Sequence, residues 1–578
     1  MTMMRPTSRR RQGQSGVAII LLSLMLCTIL LPMVGLAFDL TIMYIVKAKL
    51  GAAVDAGVLA GGRSLVGSQT LAAQQTQVTN IAIDFLNANM PQGYWGTSAT
   101  PTVETPTANI VTQDNANMRI LVTLQASVRV PLVFLQYVQN TALVRASAIA
   151  ARRYLRLVLV LDRSSSMSGA PLAALKLAVS NTNLANGPYG FVQDFFEGQD
   201  DLGLVVLGAS AIVAYPPRDP TIAGGGGSGP DSNFKTISNP NIPTLVNMIV
   251  DESNTATAEA ITLAYKELQK NPQPLFYNVI VLFTDGLPNG VTAGFNGAAP
   301  PVFYAGDTGN TATTATSMLA GSTCVNKNYA DFTAGRQMVG ALTQWGGYAN
   351  EQDNAHGLYA PMMTTKYPWG VAYTTPAQDV QNYLSDPMMA THDGKAADNV
   401  IIPAWGNGCG YASLLTDTNT QPSFKYPNMI ANNDLASFPA GDIYGNSLLG
   451  AGYRASLNYH NTGSLNLDTT DINNPYQIGN VSWNATYYAA KRIRGDTTLK
   501  PTFYCIGYTG DGGVDHALLK RLTNTNQGYQ TWAQDPQGQY LQTDYDPTST
   551  TGQYYDAGPG GIAAAFQQVR SQILSLAM

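Results

Sequence analysis

Leu157-Val-Leu-Val-Leu-Asp-Arg-Ser-Ser-Ser-Met167 is the stretch on which the reading of this chain turns. Five consecutive apolar residues predict a strand buried on both faces, as in a parallel sheet covered by helices. The strand runs into Asp162, Ser164 and Ser166, oxygen-bearing side chains at every second position. Pro171 then opens an apolar-periodic segment through Leu172, Leu175 and Val179, which predicts a helix. Strand, oxygen-rich loop and helix start make a candidate site for a hard cation, which takes carboxylate and hydroxyl oxygens.

The same alternation recurs downstream. Short apolar runs at Leu202 to Leu207 and Ala211 to Tyr215 predict a hairpin around Gly208-Ala209-Ser210. Gly224 to Gly229 lacks the Gly-Lys-Ser/Thr of a phosphate-binding loop and reads as a linker. Leu245 to Val250 predicts a helix. A second helix runs over Ala260, Ile261, Ala264 and Leu268, just after Asp251-Glu-Ser-Asn-Thr-Ala-Thr257. Val279-Ile-Val-Leu-Phe283 is another fully apolar run, ending in Thr284-Asp285-Gly286. From Leu287 to about Tyr476 the alternation stops in favour of Gly, Asn, Thr, Tyr and Pro, apart from a helix expected from Asp331 to Trp345. A connection this long belongs to an inserted domain or lid. Beyond it come a helix around Val481, Ala485 and Tyr488, a strand from Pro501 to Tyr508, a helix from His516 to Leu522, and an amphipathic helix through Ile562, Phe566, Val569 and Ile573.

Buried strands alternating with helices predict an α/β fold, a doubly wound, mostly parallel sheet. Ligands of such sheets bind beyond the carboxyl ends of the strands. Asp162, Thr255 and Asp285 each follow a strand or precede a helix, so the fold can bring them to one place.

The set Asp162, Ser164, Ser166, then Thr255, then Asp285 resembles the von Willebrand factor A domain and its metal-ion-dependent adhesion site. The resemblance implies a divalent cation, magnesium first, with manganese and calcium as alternatives. It implies direct ligation by the two serines, direct or water-mediated ligation by the threonine, and largely water-mediated ligation by the aspartates. The cation, short of negative charge, would complete its shell with an acidic oxygen from a protein partner, which is binding without catalysis. Two departures stand out: Ser165 where the family has Gly, and Ser253-Asn254 where it favours Gly-Gly before the threonine.

The N-terminal region reads as a membrane anchor. Arg5, Arg9, Arg10 and Arg11 precede an uncharged run from Val17 to Phe38, closed by Asp39. At helical rise this run covers roughly 33 Å, enough to cross a bilayer. A cleaved signal peptide, with Gly35-Leu36-Ala37 as its small-x-small site, is the competing reading, but signal h-regions usually run only about 7–15 residues. The arginines predict a cytoplasmic N-terminus and a periplasmic or extracellular bulk on an inner-membrane, single-pass chain. Gly16-Val-Ala-Ile19, Asp39 and Ala53-Val-Asp-Ala-Gly-Val-Leu-Ala-Gly61 resemble the start of TadE/TadG-like Flp (tight-adherence) pilus-assembly proteins. That resemblance implies pilus assembly or surface adhesion, with pilus or secretion components as partners. Beyond the anchor, helical patterns over Val46, Leu50 and Val54 and over Val78, Ile81 and Phe85, with strands at Met118 to Val128 and Thr141 to Ile149, predict a small α+β unit.

The expected division is therefore a basic tail (1–16), a transmembrane helix (17–38), the TadE/G-like helix with its α+β unit (39–152), and the A domain in two parts (153–286 and 477–578) around an insertion (287–476). Because the insertion leaves the sheet beside Asp285, it is expected to select the partner.

Composition narrows the classes. Charged residues make up only 12% of the 578 residues, and 30 tyrosines help fill the deficit, a pattern suited to an exported protein. A net charge of -5 gives no reason to expect nucleic acid. Of the four cysteines, Cys27 lies in the apolar run and Cys505 in a strand pattern, leaving Cys324 and Cys409 as the one plausible bridge. His356, His392, His460 and His516 are dispersed and no His-Glu-x-x-His helix exists, so an enzyme is not expected. Asp468 with Asp471, and Asp544 with Asp546, suit calcium or Asx turns equally. The alternative function is an exported hydrolase or glycan-binding protein built on the insertion, where Trp345, Trp369 and Trp405 could line a sugar face.

Overall fold

A computed structural model describes residues 14–65, 71–97, 99–208, 211–216, 229–235, 241–251, 255–296, 337–344, 355–359, 437–442, 444–449, 469–470, 475–510, 513–529, 540 and 542–577. They divide into two compact units, one ending at Arg152 and the other beginning at Arg153.

In the first unit, α1 (Gln14–Met25) passes through one π turn (Leu26–Leu30) into α2 (Leu31–Arg63). Pro32 accounts for the irregularity, since it has no N–H to give to the preceding turn. Among the described residues one helix, Ile19–Arg63, is long and apolar enough to cross a membrane. Past Asp39 one face of α2 becomes buried through Val46, Leu50 and Val54, against α3 (Leu71–Asn89) with its buried Val78, Ala82 and Leu86. Gly57 permits this approach, because a Cβ there would stand 2.6 Å from the Ala82 carbonyl oxygen.

Four strands complete the unit: β1 (Thr102–Val103), β2 (Val111–Asp114), β3 (Arg119–Pro131) and β4 (Thr141–Arg153). β1 and β2 pair antiparallel with β3, which also pairs with β4. Ile120, Val122, Leu124 and Ala126 of β3 are buried at alternate positions, the period of a sheet with one covered face. Met118 lies outside the strand, in the turn before it, at φ 50°.

The second unit is an α/β fold. Its six-stranded sheet takes β5 (Leu155–Asp162), β6 (Asp201–Leu207), β7 (Ala211–Tyr215), β8 (Tyr277–Thr284), β12 (Thr502–Tyr508) and β13 (Gln553–Ala557), in the order β13-β12-β8-β5-β6-β7. All neighbours are parallel except the hairpin β6–β7. Numbered by chain order within this sheet, that is the doubly wound order 3-2-1-4-5-6.

The central strand β5 is buried along its whole length, and its side chains divide between two cores. Leu155, Leu157, Leu159 and Leu161 join the core under α4 (Ala170–Ser180), α5 (Ile242–Met248) and a C-terminal helix, Ile562–Ala577. Val158 and Val160 join the core under α6 (Thr257–Gln269), α7 (Pro475–Arg494) and α8 (His516–Thr523). Full burial of one such Leu or Val side chain contributes about 1.5–3 kcal/mol, which is why an unbroken apolar run is placed here. The C-terminal helix, α9, inserts Phe566 between Phe191 and Phe283, with ring centroids 5.2 and 5.8 Å away.

Several expectations change. Residues 337–344, inside the helix expected from Asp331 to Trp345, form β10 (Gln337–Gln344), antiparallel to β9 (Gly290–Asn296) and to β11 (Ala355–Tyr359). A short apolar run does not distinguish helix from strand, and here pairing on both sides decides. The helix expected from Leu245 to Val250 runs instead from Ile242 to Met248, capped by Asn241, whose side chain accepts from the Thr244 N–H. The arginine-rich tail, residues 224–228 of the glycine loop, Ser253, Asn254, Cys324, Trp345, Trp369, His392, Trp405, Cys409, His460, Asp468 and Asp471 lie outside the described residues.

Candidate metal centre

Asp162 is the last residue of β5, and Asp285 follows the last residue of β8. These strands are parallel neighbours, with Leu161 opposite Phe283, so both carboxylates emerge together at the carboxyl edge of the sheet. The loop after Asp162 is fixed at several points. Arg163 N–H donates to the Leu207 carbonyl at 3.0 Å, and Ser164 N–H donates to Asp162 Oδ1 at 2.7 Å. A single 3-10 turn, Ser165–Met167, then buries Met167 completely. Gly169 at φ 77° turns the chain into α4, a conformation L side chains disfavour.

This folding places Ser164 and Ser166 over Asp285. Ser164 Oγ donates to Asp285 Oδ1 at 3.1 Å, Ser166 Oγ donates to the same oxygen at 2.9 Å, and the two hydroxyls lie 3.1 Å apart. Asp162 and Asp285 are fully buried and Ser164 nearly so, whereas Ser166 is exposed. The cluster therefore opens to solvent on the Ser166 side.

Thr255 reaches the same place from the loop before α6. Its N–H donates to Asn289 Oδ1 at 2.7 Å and its carbonyl accepts from Asn289 N–H at 3.1 Å. Its hydroxyl lies against Gly286, where a Cβ would stand 3.1 Å from Thr255 Oγ1. Asn289, like Thr284, has no spacing rule that marks it in the sequence; it lies shortly after Thr284-Asp285-Gly286. The helix begins at Thr257, two residues beyond Thr255.

Asp162 is held electrostatically from several directions. Complete burial pushes its carboxyl up to about 6. Hydrogen bonds from the Thr284 hydroxyl, from Ser164 and from the Asp285 backbone oppose that shift by favouring the carboxylate. Ser165, the departure from glycine, is exposed and is not among the non-glycine residues at positive φ.

The other candidates are used differently. Asp544 pairs with Arg521 at 3.1 Å. Asp546 accepts from the hydroxyls of Thr548 and Ser549 at 2.6 and 2.7 Å and from the Thr548 N–H, an Asx turn. His516 opens α8 and meets Tyr554 and Asp556 at 2.7 and 2.9 Å, while His356 lies in β11. Cys505 is buried in β12 and Cys27 is exposed on the apolar helix. Among the described residues no group of three or more His, Cys, Asp or Glu side chains could hold a metal. The set at Asp162 differs in kind, with two carboxylates and three hydroxyls.

Residues 16–64 match the model of the Tad family, described as Flp pilus-assembly TadE/G-like. The N-terminal segment is TadE/G-like. No curated protein matches the chain in sequence. Among solved structures, the chain is similar to the vWF domain of the type V pili tip protein Mfa5 from Porphyromonas gingivalis, at 13% identity and a TM-score of 0.28, over 74% of this chain and 98% of that one. A structure of three N-terminal domains of the same Mfa5 protein matches at 17% identity and a TM-score of 0.18, over 37% of this chain and 32% of that one. The α/β fold itself stands on the strand order and register.

Proposed function

We propose that the chain is a membrane-anchored, outward-facing A-domain-type protein that holds a divalent cation through Asp162, Ser164, Ser166, Thr255 and Asp285. One observation carries this reading. Ser164 Oγ, Ser166 Oγ and Asp285 Oδ1 form a triangle with edges of 3.1, 3.1 and 2.9 Å. Magnesium takes six oxygens at about 2.0–2.1 Å in an octahedron, whose neighbouring oxygens lie about 2.9 Å apart. The triangle thus has the dimensions of one octahedral face, which would make Asp285 a direct ligand where the resemblance implies a largely water-mediated one, and Ser166 leaves it open to solvent. A cation bound there supplies a Lewis-acidic position able to take an acidic oxygen from a protein partner. Magnesium suits this small, hydroxyl-rich set best, with manganese and calcium as alternatives.

The TadE/G-like segment supports a place in Flp/Tad-type pilus assembly or surface adhesion. The apolar run from Val17 to Phe38, with arginines before it, supports a cytoplasmic N-terminus in the inner membrane and a metal centre on the far side. The donor set binds and orients; it offers no activated nucleophile, which supports a non-enzymatic role.

Calorimetric titration of magnesium and manganese into the full chain in nanodiscs tests the cation. Binding in the micromolar-to-millimolar range is expected, lost in Asp162→Ala and Asp285→Ala variants that keep the parent circular dichroism. Undiminished binding in both variants would falsify the assignment.

A further inference from the structure

We propose that the loop Leu132 to Val138 of the first unit is a second membrane contact, lying in the boundary between headgroups and acyl chains beside the anchor helix. This rests on the reading of residues 17–38 as a membrane span.

Asp39, the residue that closes the apolar run, is only 1% exposed. Its carboxylate accepts three successive backbone N–H groups, from Val133 at 2.9 Å and from Phe134 and Leu135 at 3.0 and 2.8 Å. A helix residue at the level where the span ends is therefore clamped to the tip of the β3–β4 connection. Charge-assisted bonds of this kind are roughly twice as strong as neutral ones.

From this loop Phe134 then extends toward the span. The Phe134 ring packs on Gly35, where a Cβ would fall 2.6 Å from Phe134 Cγ, and it meets Phe38 edge-on at 5.7 Å. Gly35 lies one helical turn, about 5–6 Å, before Asp39, within the uncharged run. Phe134 nevertheless stays 48% exposed, Val133 48% and Val138 87%. Around them Leu36, Phe38 and Leu40 of the helix are exposed as well. The stretch Pro131-Leu-Val-Phe-Leu-Gln-Tyr-Val-Gln-Asn140 carries no charge, although Arg129 and Arg145 flank it.

An exposed apolar patch continuous with a membrane span, at the depth where the span meets water, is suited to lipid. Apolar side chains inserted into this boundary gain affinity in proportion to the area they bury. The anchor is thereby joined by a foot set a fixed distance from it, which restrains the first unit's tilt against the bilayer.

Brominated-lipid quenching tests this on the full chain in phosphatidylcholine/phosphatidylglycerol nanodiscs. A V138W variant carries the probe, with an L22W variant as reference inside the span, each read as the difference from parent emission. At an 87% exposed position the added indole should not disturb the fold. The expected result is a blue-shifted added signal in V138W that loses most of its intensity when bromines sit on the acyl chains, as it does in L22W. Quenching in L22W alone, with the V138W signal still open to aqueous iodide, overturns the second contact and leaves the anchor standing. A V138W signal shielded from both quenchers also overturns it, in favour of a protein contact. Quenching in neither variant removes the anchor reading itself.

Discussion

The Thr284 hydroxyl donates to Asp162 Oδ2 at 2.5 Å, across the neighbouring strands β8 and β5. Asp162 is wholly buried, so this donor, with Ser164 and the Asp285 backbone, helps fix how its carboxylate faces and favours its ionised form. Thr284→Val should destabilise the fold by about 1–3 kcal/mol, because a buried acceptor loses one of its donors. It should also weaken cation binding, whereas Thr284→Ser retains both. Denaturant unfolding and calorimetry on the two variants make the comparison.

Gly286 sets the spacing of Thr255. A Cβ there would stand 3.1 Å from Thr255 Oγ1, tighter than ordinary contact, and the hydroxyl would have to give way. Gly286→Ala should leave the sheet folded and lower cation affinity several-fold. Affinity equal to the parent's would mean that Thr255 takes no part in binding.

Ser165 stands where the A-domain resemblance of the sequence implies glycine, yet its backbone is not glycine-like. Ser165→Gly should therefore leave cation affinity within about twofold of the parent and cost at most about 1 kcal/mol of stability, through added freedom of the unfolded chain. A large gain in affinity would show that the serine distorts the loop.

Asp194 supplies a pH signature away from the candidate centre. It is buried, which pushes its carboxyl up to about 6, although Arg570 at 3.3 Å and Lys235 pull the other way. A folded pKa above the unfolded value means that the folded chain holds its proton more tightly. This contribution is fully present below about pH 4 and is lost as pH rises through about 6, an effect of order 3 kcal/mol. Relative to the parent, Asp194→Asn should gain stability between pH 4 and pH 7. Thermal unfolding across that range checks the sign.

Phe566 joins α9 to the sheet through Phe191 and Phe283. Phe566→Ala should cost about 3–5 kcal/mol, transfer and cavity combined. Chemical unfolding of the variant should show an earlier midpoint.

Much of the sheet was legible because its strands are buried on both faces. Leu157 to Leu161, Val279 to Phe283 and the run to Tyr508 carry the apolar signal that such strands require. The edge strand β13, Gln553-Tyr-Tyr-Asp-Ala557, was missed for the same reason in reverse: only Ala557 is fully buried, so no run or alternation marks it. The Gln337–Gln344 strand was missed because a helix and a strand of that length share one apolar pattern, and its pairing with Gly290–Asn296 is not local. At the candidate centre, Asp162, Ser164 and Ser166 were legible from spacing, and Thr255 and Asp285 from their places at element ends. Thr284 and Asn289 were not, because they hold the centre's loops and residues in place and that role has no spacing rule.

The place of β8 in the sheet bears on how the molecule is made. β8 pairs with β5 on one side and β12 on the other, yet β12 begins only after the whole of residues 285–501. A chain made from its N-terminus completes β5 to β8 early and then presents Tyr277–Thr284 as an apolar sheet edge still lacking its β12 neighbour. Such edges recruit other strands, and pairings distant in sequence close slowly. The interval between the arrival of β8 and that of β12 is therefore the stage at which a newly made copy most needs shielding from its neighbours.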